Sequence, residues 1–223
     1  MSIDSRDALL EEIRRNLGCR TSDAQTLAMA EQALDILQKS VRPRSIWKIY
    51  PLRHTEQCVF IGGNPLEGDD IRRHLQGCEA AAIMAATLSV SAEVTLRRLA
   101  AEDMALALVA DAAASALAEQ LCDRTEQEIR QRNPYEYMTA RFSPGYGDLP
   151  LETQPLLLRL TDAVRTLGIT VTPNHILLPQ KSVTALIGLS NQPVQDARRF
   201  ICGVQCEGCP HYAECPSRAE TKH

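Results

Sequence analysis

The stretch from Glu102 to Arg132 is rich in Ala, Leu, Glu, Gln and Arg and reads as the longest helix of the chain, closed by Pro134. A helix of this kind must cover one face. Ala112, Ala113 and Ala116 supply a small-residue face that permits close packing against another helix or a sheet. Glu119, Glu126 and Glu128 are interleaved with Arg124, Arg130 and Arg132 at helical distances, which reads as a solvated, salt-bridged face and not as paired catalytic carboxylates.

Helical spacing also appears at the start of the chain. Leu9, Leu10, Ile13 and Leu17 mark one amphipathic helix, and Ser22 with Gln25 forms a capping-box pattern ahead of a second one through Leu27, Ala30, Leu34, Leu37 and Val41. Residues 42–44 (Arg-Pro-Arg) stop the period. Ile46 to Tyr50, Cys58 to Ile61 and Ala80 to Leu88 then have strand character. Gly62, Gly63, Asn64, Pro65 and Gly68 form a loop, with Gly62-Gly63 read as a turn because no P-loop lysine or GxGxxG accompanies it. Asp69 or Asp70 caps a short helix that Gly77 ends.

Ser91 to Ala101 precedes the long helix as another helical segment. Beyond residue 150, a helix from about Leu151 to Leu167 is closed by Gly168, and strands follow near Ile169 to Thr172 and Ser182 to Leu189. Strands and helices alternate irregularly, with no run of βαβ units. The expected class is therefore α+β, a mixed or antiparallel sheet with flanking helices, a helical N-terminus and a Cys-rich C-terminal tail. The expected organisation is a helical segment over 1–45, an α+β core over 46–200 and the tail over 201–223.

With 223 residues, 44% of them apolar and 23% charged, the chain is long enough to bury a core. A net charge of -4 gives no field to attract a polyanion, so nucleic acid is not an expected partner. Residues 1–15 have no apolar segment after a basic start, and no later stretch approaches about 18 uncharged apolar residues, so no membrane partner is expected either. The expected location is cytoplasmic. Cys19, Cys58, Cys78 and Cys122 are scattered singly and read as reduced packing residues. His54, His74 and His175 have no ligand-spaced partners and are assigned no chemistry.

Residues 141–150, Arg-Phe-Ser-Pro-Gly-Tyr-Gly-Asp-Leu-Pro, combine a fixed cation, a ring-locked backbone, two glycines and an aromatic between a strand and a helix. Gly145 and Gly147 let backbone groups approach a ligand, and Pro144 stiffens the turn. Arg141 offers a planar fork for a carboxylate, and Tyr146 a face for a flat heterocycle or a sulfonium. On residues alone, a tight turn with Arg141 paired to a carboxylate such as Glu136 fits equally well, with Asp148 capping the helix near Leu151.

This loop, RFSPGYGDLPLETQ at 141–154, resembles the activation domain of cobalamin-dependent methionine synthase, particularly its free-standing versions. LPQKSVTALIGLS at 178–190 resembles a later strand of the same family, and the likeness spans roughly two thirds of the chain. The resemblance implies that Arg141, Ser143, Pro144, Gly145 and Tyr146 hold S-adenosylmethionine, with the Arg on its carboxylate. Where those enzymes place aromatics shortly after that strand, Asn191 to Asp196 has none. Lys181 and Ser182 precede the strand and either face a cobalamin domain or start an ordinary exposed strand.

In that family, inactive cob(II)alamin is returned to its methylated state by one electron and the methyl group of S-adenosylmethionine, and the corrin performs the difficult chemistry. No DxHxxG cobalamin signature occurs here, so the resemblance implies an accessory subunit whose cobalamin is carried by its partner, a cobalamin-dependent methionine synthase lacking its own activation domain. A reductant protein is a further implied partner.

Cys202, Cys206, Cys209 and Cys215 follow a CxxxCxxCxxxxxC pattern able to supply four thiolates to an iron–sulfur (4Fe-4S) cluster or a structural zinc. His211 lies among them and reads as a surface imidazole. Too little chain follows Cys209 for the barrel of a radical S-adenosylmethionine enzyme. The alternative expectation is an iron–sulfur electron-transfer protein for another corrinoid methyltransferase, one that binds no S-adenosylmethionine.

Overall fold

The computed structural model describes residues 6–18 and 24–194. Helices α1 (Arg6–Asn16) and α2 (Ala24–Ser40) precede strands β1 (Arg44–His54), β2 (Val59–Ile61) and β3 (Asn64–Leu66). Helix α3 (Asp69–His74) and strand β4 (Ala80–Thr87) lead to α4 (Val90–Glu102) and α5 (Met104–Arg132). Strand β5 (Tyr137–Met138), a 3-10 turn at Leu151–Thr153, α6 (Gln154–Thr161), α7 (Ala163–Leu167) and strands β6 (Thr170–Val171), β7 (Leu177–Leu178) and β8 (Ser182–Ser190) follow. Ser22 of the capping-box pattern lies outside the described residues.

Contacts divide the chain into two interleaved units. The described residues within Met1–Ile46, Ala85–Glu128 and Asp162–Val183 form the first. Its core joins Leu9 and Ile13 of α1, Leu34 and Leu37 of α2, Leu99 of α4 and Ala110, Ala113 and Ala116 of α5. The small-residue face of α5 is thus buried as its composition requires, and α1 and α2 take part in that core.

Asp103 sets the boundary between the two long helices. Its Oδ1 accepts the N–H groups of Ala105 and Leu106 at 3.0 and 3.1 Å, capping α5 two residues later than the sequence pattern places it. By length and composition α5 is apolar enough to cross a membrane, although Asp111 and Glu119 interrupt its uncharged run; 67% of its 18-residue apolar window is buried within the protein, as in a core helix.

The second unit, the described residues within Trp47–Met84, Ile129–Thr161 and Thr184–His223, is built around a six-stranded sheet of order β3-β2-β1-β4-β8-β5. β1, β2 and β3 are antiparallel neighbours, as are β5 and β8. Every residue of β4 is buried. Ile61, Leu66, Ile71, Leu75, Ile83, Leu157 and Leu186 are among the core side chains.

Gly62 and Gly63, at φ 55° and 79°, form the hairpin turn between β2 and β3, where Ile61 pairs with Asn64. That turn turns the expected loop into a strand at Asn64–Leu66. The single helix expected over Leu151 to Leu167 is broken: Asp162 adopts φ 61°, a left-handed conformation that Asp tolerates better than most residues. Gly168 closes α7 at φ 71°, as the sequence leads one to expect.

Candidate functional site

The loop from Arg141 to Pro150 is laced into β8. Phe142 N–H donates to Leu186 O at 2.9 Å and Leu186 N–H returns to Phe142 O at 2.8 Å, so the two stretches that resemble one family lie side by side. A second tie joins them: the buried Thr184 hydroxyl donates to Gln154 Oε1.

Within the loop, Tyr146 N–H donates to Ser143 O at 3.0 Å, Gly145 N–H to Leu149 O at 2.8 Å and Leu149 N–H to Tyr146 O at 3.1 Å. Pro144 is buried beneath this turn, whereas Tyr146 is 41% exposed. Gly145 and Gly147 have φ 92° and 52°, values that disfavour any Cβ. A Cβ on Gly147 would also lie 2.3 Å from Asp70 Oδ2, and one on Gly145 would lie 3.1 Å from Leu151 Cδ2. Both glycines therefore answer first to the protein around them.

Asp148 does not cap the helix after Leu151, whose N-cap is Pro150. Its carboxylate instead accepts the backbone N–H of Asp69 at 2.6 Å and of Asp70 at 3.0 Å. The N-cap of α3 is Gly68, which has no side chain to perform that role, and the expected capping by Asp69 or Asp70 is replaced by this remote carboxylate. A loop and a helix far apart in sequence are fastened together in consequence.

Arg141 is partly buried, and its Nη1 is fully removed from solvent. The rings of Phe142 and Tyr146 meet edge to face with centroids 6.2 Å apart, and the His74 ring lies 4.8 Å from that of Phe142. His74 Nε2 is 2.9 Å from Ala140 O and 2.9 Å from Thr139 Oγ1. Burial pushes the His74 imidazole down to about 4, against the pull of the Ala140 carbonyl. Sequence spacing concealed this histidine, because its partners come from 65 and 66 residues later.

Cys78 is buried, which drives its thiol up to about 11 and keeps it inert. His54 Nε2 meets Cys78 O at 2.8 Å, a structural contact. Lys181 is not an exposed strand start: its side chain is 15% exposed and its Nζ lies 2.9 Å from both Asp111 Oδ1 and Ser115 Oγ. Ser182 Oγ donates to Thr87 Oγ1 at 2.8 Å. Among the described residues no group of His, Cys, Asp or Glu side chains has the arrangement of a metal site. Cys202, Cys206, Cys209 and Cys215 lie outside the described residues.

No family model matches the chain, and no curated protein does. Among solved structures, a crystal structure of the MetH reactivation domain bound to AdoHcy matches with a TM-score of 0.64 at 14% identity, covering 82% of this chain and 76% of that one. The chain has the fold of that domain.

Proposed function

We propose that this protein binds S-adenosylmethionine at the Arg141–Tyr146 loop and serves as an accessory subunit in the reactivation of a cobalamin-dependent methionine synthase. The observation carrying the reading is a turn closed by its own hydrogen bonds, which carries an exposed Tyr146 and follows directly on a partly buried Arg141, in a fold shared with a domain crystallised with AdoHcy.

The residues present fit the ligand. Arg141 is a cation suited to the methionine carboxylate, which its planar fork can meet with two parallel hydrogen bonds. Tyr146 offers an exposed ring to a heterocycle or a positive sulfonium. Ser143 and Pro144 shape the turn between them, and Gly145 keeps it narrow. S-adenosylmethionine, when bound, supplies an electrophilic methyl group. The protein's contribution is position: it holds the carboxylate end and orients the rest.

On this reading cobalamin is carried by the partner, a methionine synthase without its own activation domain, and a reductant protein delivers the electron in the cytoplasm. Cys202, Cys206, Cys209 and Cys215 are retained as a metal site on their spacing alone, for an iron–sulfur cluster or zinc. Metal content after anaerobic purification distinguishes the two.

Calorimetric titration with S-adenosylmethionine tests the proposal. The parent protein should bind, and Arg141→Ala should lose about 2 kcal/mol, the weight of a hydrogen bond to a charged group. Absence of heat from the parent protein overturns the reading and favours the electron-transfer alternative.

A further inference from the structure

We propose that His74 is a positioning residue for the ligand loop: its Nε2–H holds the Ala140 carbonyl immediately before Arg141, and its ring supports Phe142 immediately after. The inference rests on the reading of this loop as the S-adenosylmethionine site.

The tautomer follows from the contact itself. A carbonyl oxygen only accepts, so the 2.9 Å approach of Nε2 to Ala140 O requires a proton on Nε2. Thr139 completes the arrangement. Its hydroxyl accepts the Gly188 N–H at 2.8 Å and donates to Ala140 O at 3.1 Å, while Thr139 N–H donates to Gly188 O at 2.9 Å. The Ala140 carbonyl is therefore gripped by helix α3 through His74 and by strand β8 through Thr139. Residue 141 starts from a fixed peptide plane.

The ring does the second half. His74 packs on Phe142 with centroids 4.8 Å apart at 45°, and Phe142 meets the edge of Tyr146. A line of three rings thus runs from α3 to the exposed aromatic of the loop. Its low proton affinity keeps the imidazole neutral at physiological pH, so no second cation competes with Arg141 for a carboxylate.

Two substitutions separate the hydrogen bond from the packing. His74→Phe keeps a ring and removes the donor; His74→Gln places an amide N–H near the position of Nε2–H. Amide hydrogen exchange by NMR on the full chain reads the order of Gly145, Tyr146 and Leu149, and calorimetry reads S-adenosylmethionine affinity. His74→Phe should accelerate exchange of those amides about tenfold and weaken binding about tenfold, whereas His74→Gln should stay within about twofold of the parent for both.

Unchanged loop exchange in His74→Phe, or acceleration of β4 amides equal to that of the loop, overturns the proposal in favour of no role or a general structural one. If the parent protein binds no S-adenosylmethionine, the ligand assignment falls, and the exchange comparison alone still decides whether His74 holds the loop.

Discussion

Asp148 Oδ1 accepts the backbone N–H of Asp70 across 3.0 Å, and the other carboxylate oxygen takes the N–H of Asp69. The side chain of the loop thereby replaces the cap that Gly68 cannot provide. Asp148→Ala should cost about 1 kcal/mol of stability, the usual weight of a lost cap, and should weaken ligand binding at the same time. Urea unfolding beside calorimetry checks this. An unchanged unfolding midpoint would show that the tie contributes nothing.

Gly147 and Gly63 both have positive φ, at 52° and 79°, but only Gly147 has atoms waiting where a Cβ would go. Gly63→Ala should lose about 1 kcal/mol from backbone strain alone. Gly147→Ala carries the same strain plus the contact with Asp70, and should lose about 1 kcal/mol more. Asp70→Ala in the Gly147→Ala background should recover part of the difference. Equal losses for the two alanine variants would contradict the crowding at Asp70.

His74 makes stability depend on pH in a defined direction. Its folded-state pKa lies near 4, below the 6.5 of an exposed histidine, because burial opposes the charge. The stabilisation is complete above the unfolded value, declines as pH falls from about 6.5, and is fully lost below about 4, where both states carry the proton. The total is on the order of 3 kcal/mol. Unfolding midpoints of the parent and His74→Phe, followed from pH 7.5 to 4, should converge toward acid by that order. Parallel curves would mean that the imidazole titrates alike in both states.

Gly188 sits where β8 passes Cys78, Thr139 and Leu75. A Cβ there would lie 2.5 Å from Cys78 Sγ, 3.0 Å from Thr139 Cγ2 and 3.1 Å from Leu75 Cδ2. Gly188→Ala should therefore destabilise by about 1–3 kcal/mol through overpacking. Adding Cys78→Ala should return a measurable part of it, since the closest obstacle is then gone. Thermal unfolding of the single and double variants decides. No recovery would place the cost on Thr139 and Leu75.

Much of this architecture was legible in local pattern. The period of α5, its alanine face, the Gly62-Gly63 turn and the stop at Gly168 all depend on near neighbours in the chain, and each lies where the pattern puts it. The break at Asp162 was not legible, because an aspartate in the left-handed region looks in sequence like any helical aspartate. Nor was the capping of α3, whose carboxylate arrives from 78 and 79 residues away. The loop itself was visible through its composition. Its supports at His74, Thr139 and Gly188 were hidden, since nothing in their spacing marks them as neighbours.

The closed turn has a consequence for what it can recognise. The N–H groups of Gly145, Tyr146 and Leu149 already point at carbonyls of the same turn, so an incoming molecule does not find them open. A nucleotide that depends on main-chain donors for its phosphates gains little from these positions, while a zwitterion with a positive centre would still have the exposed Tyr146 ring to meet. Discrimination between those two kinds of visitor is thus written into the direction of three amide bonds.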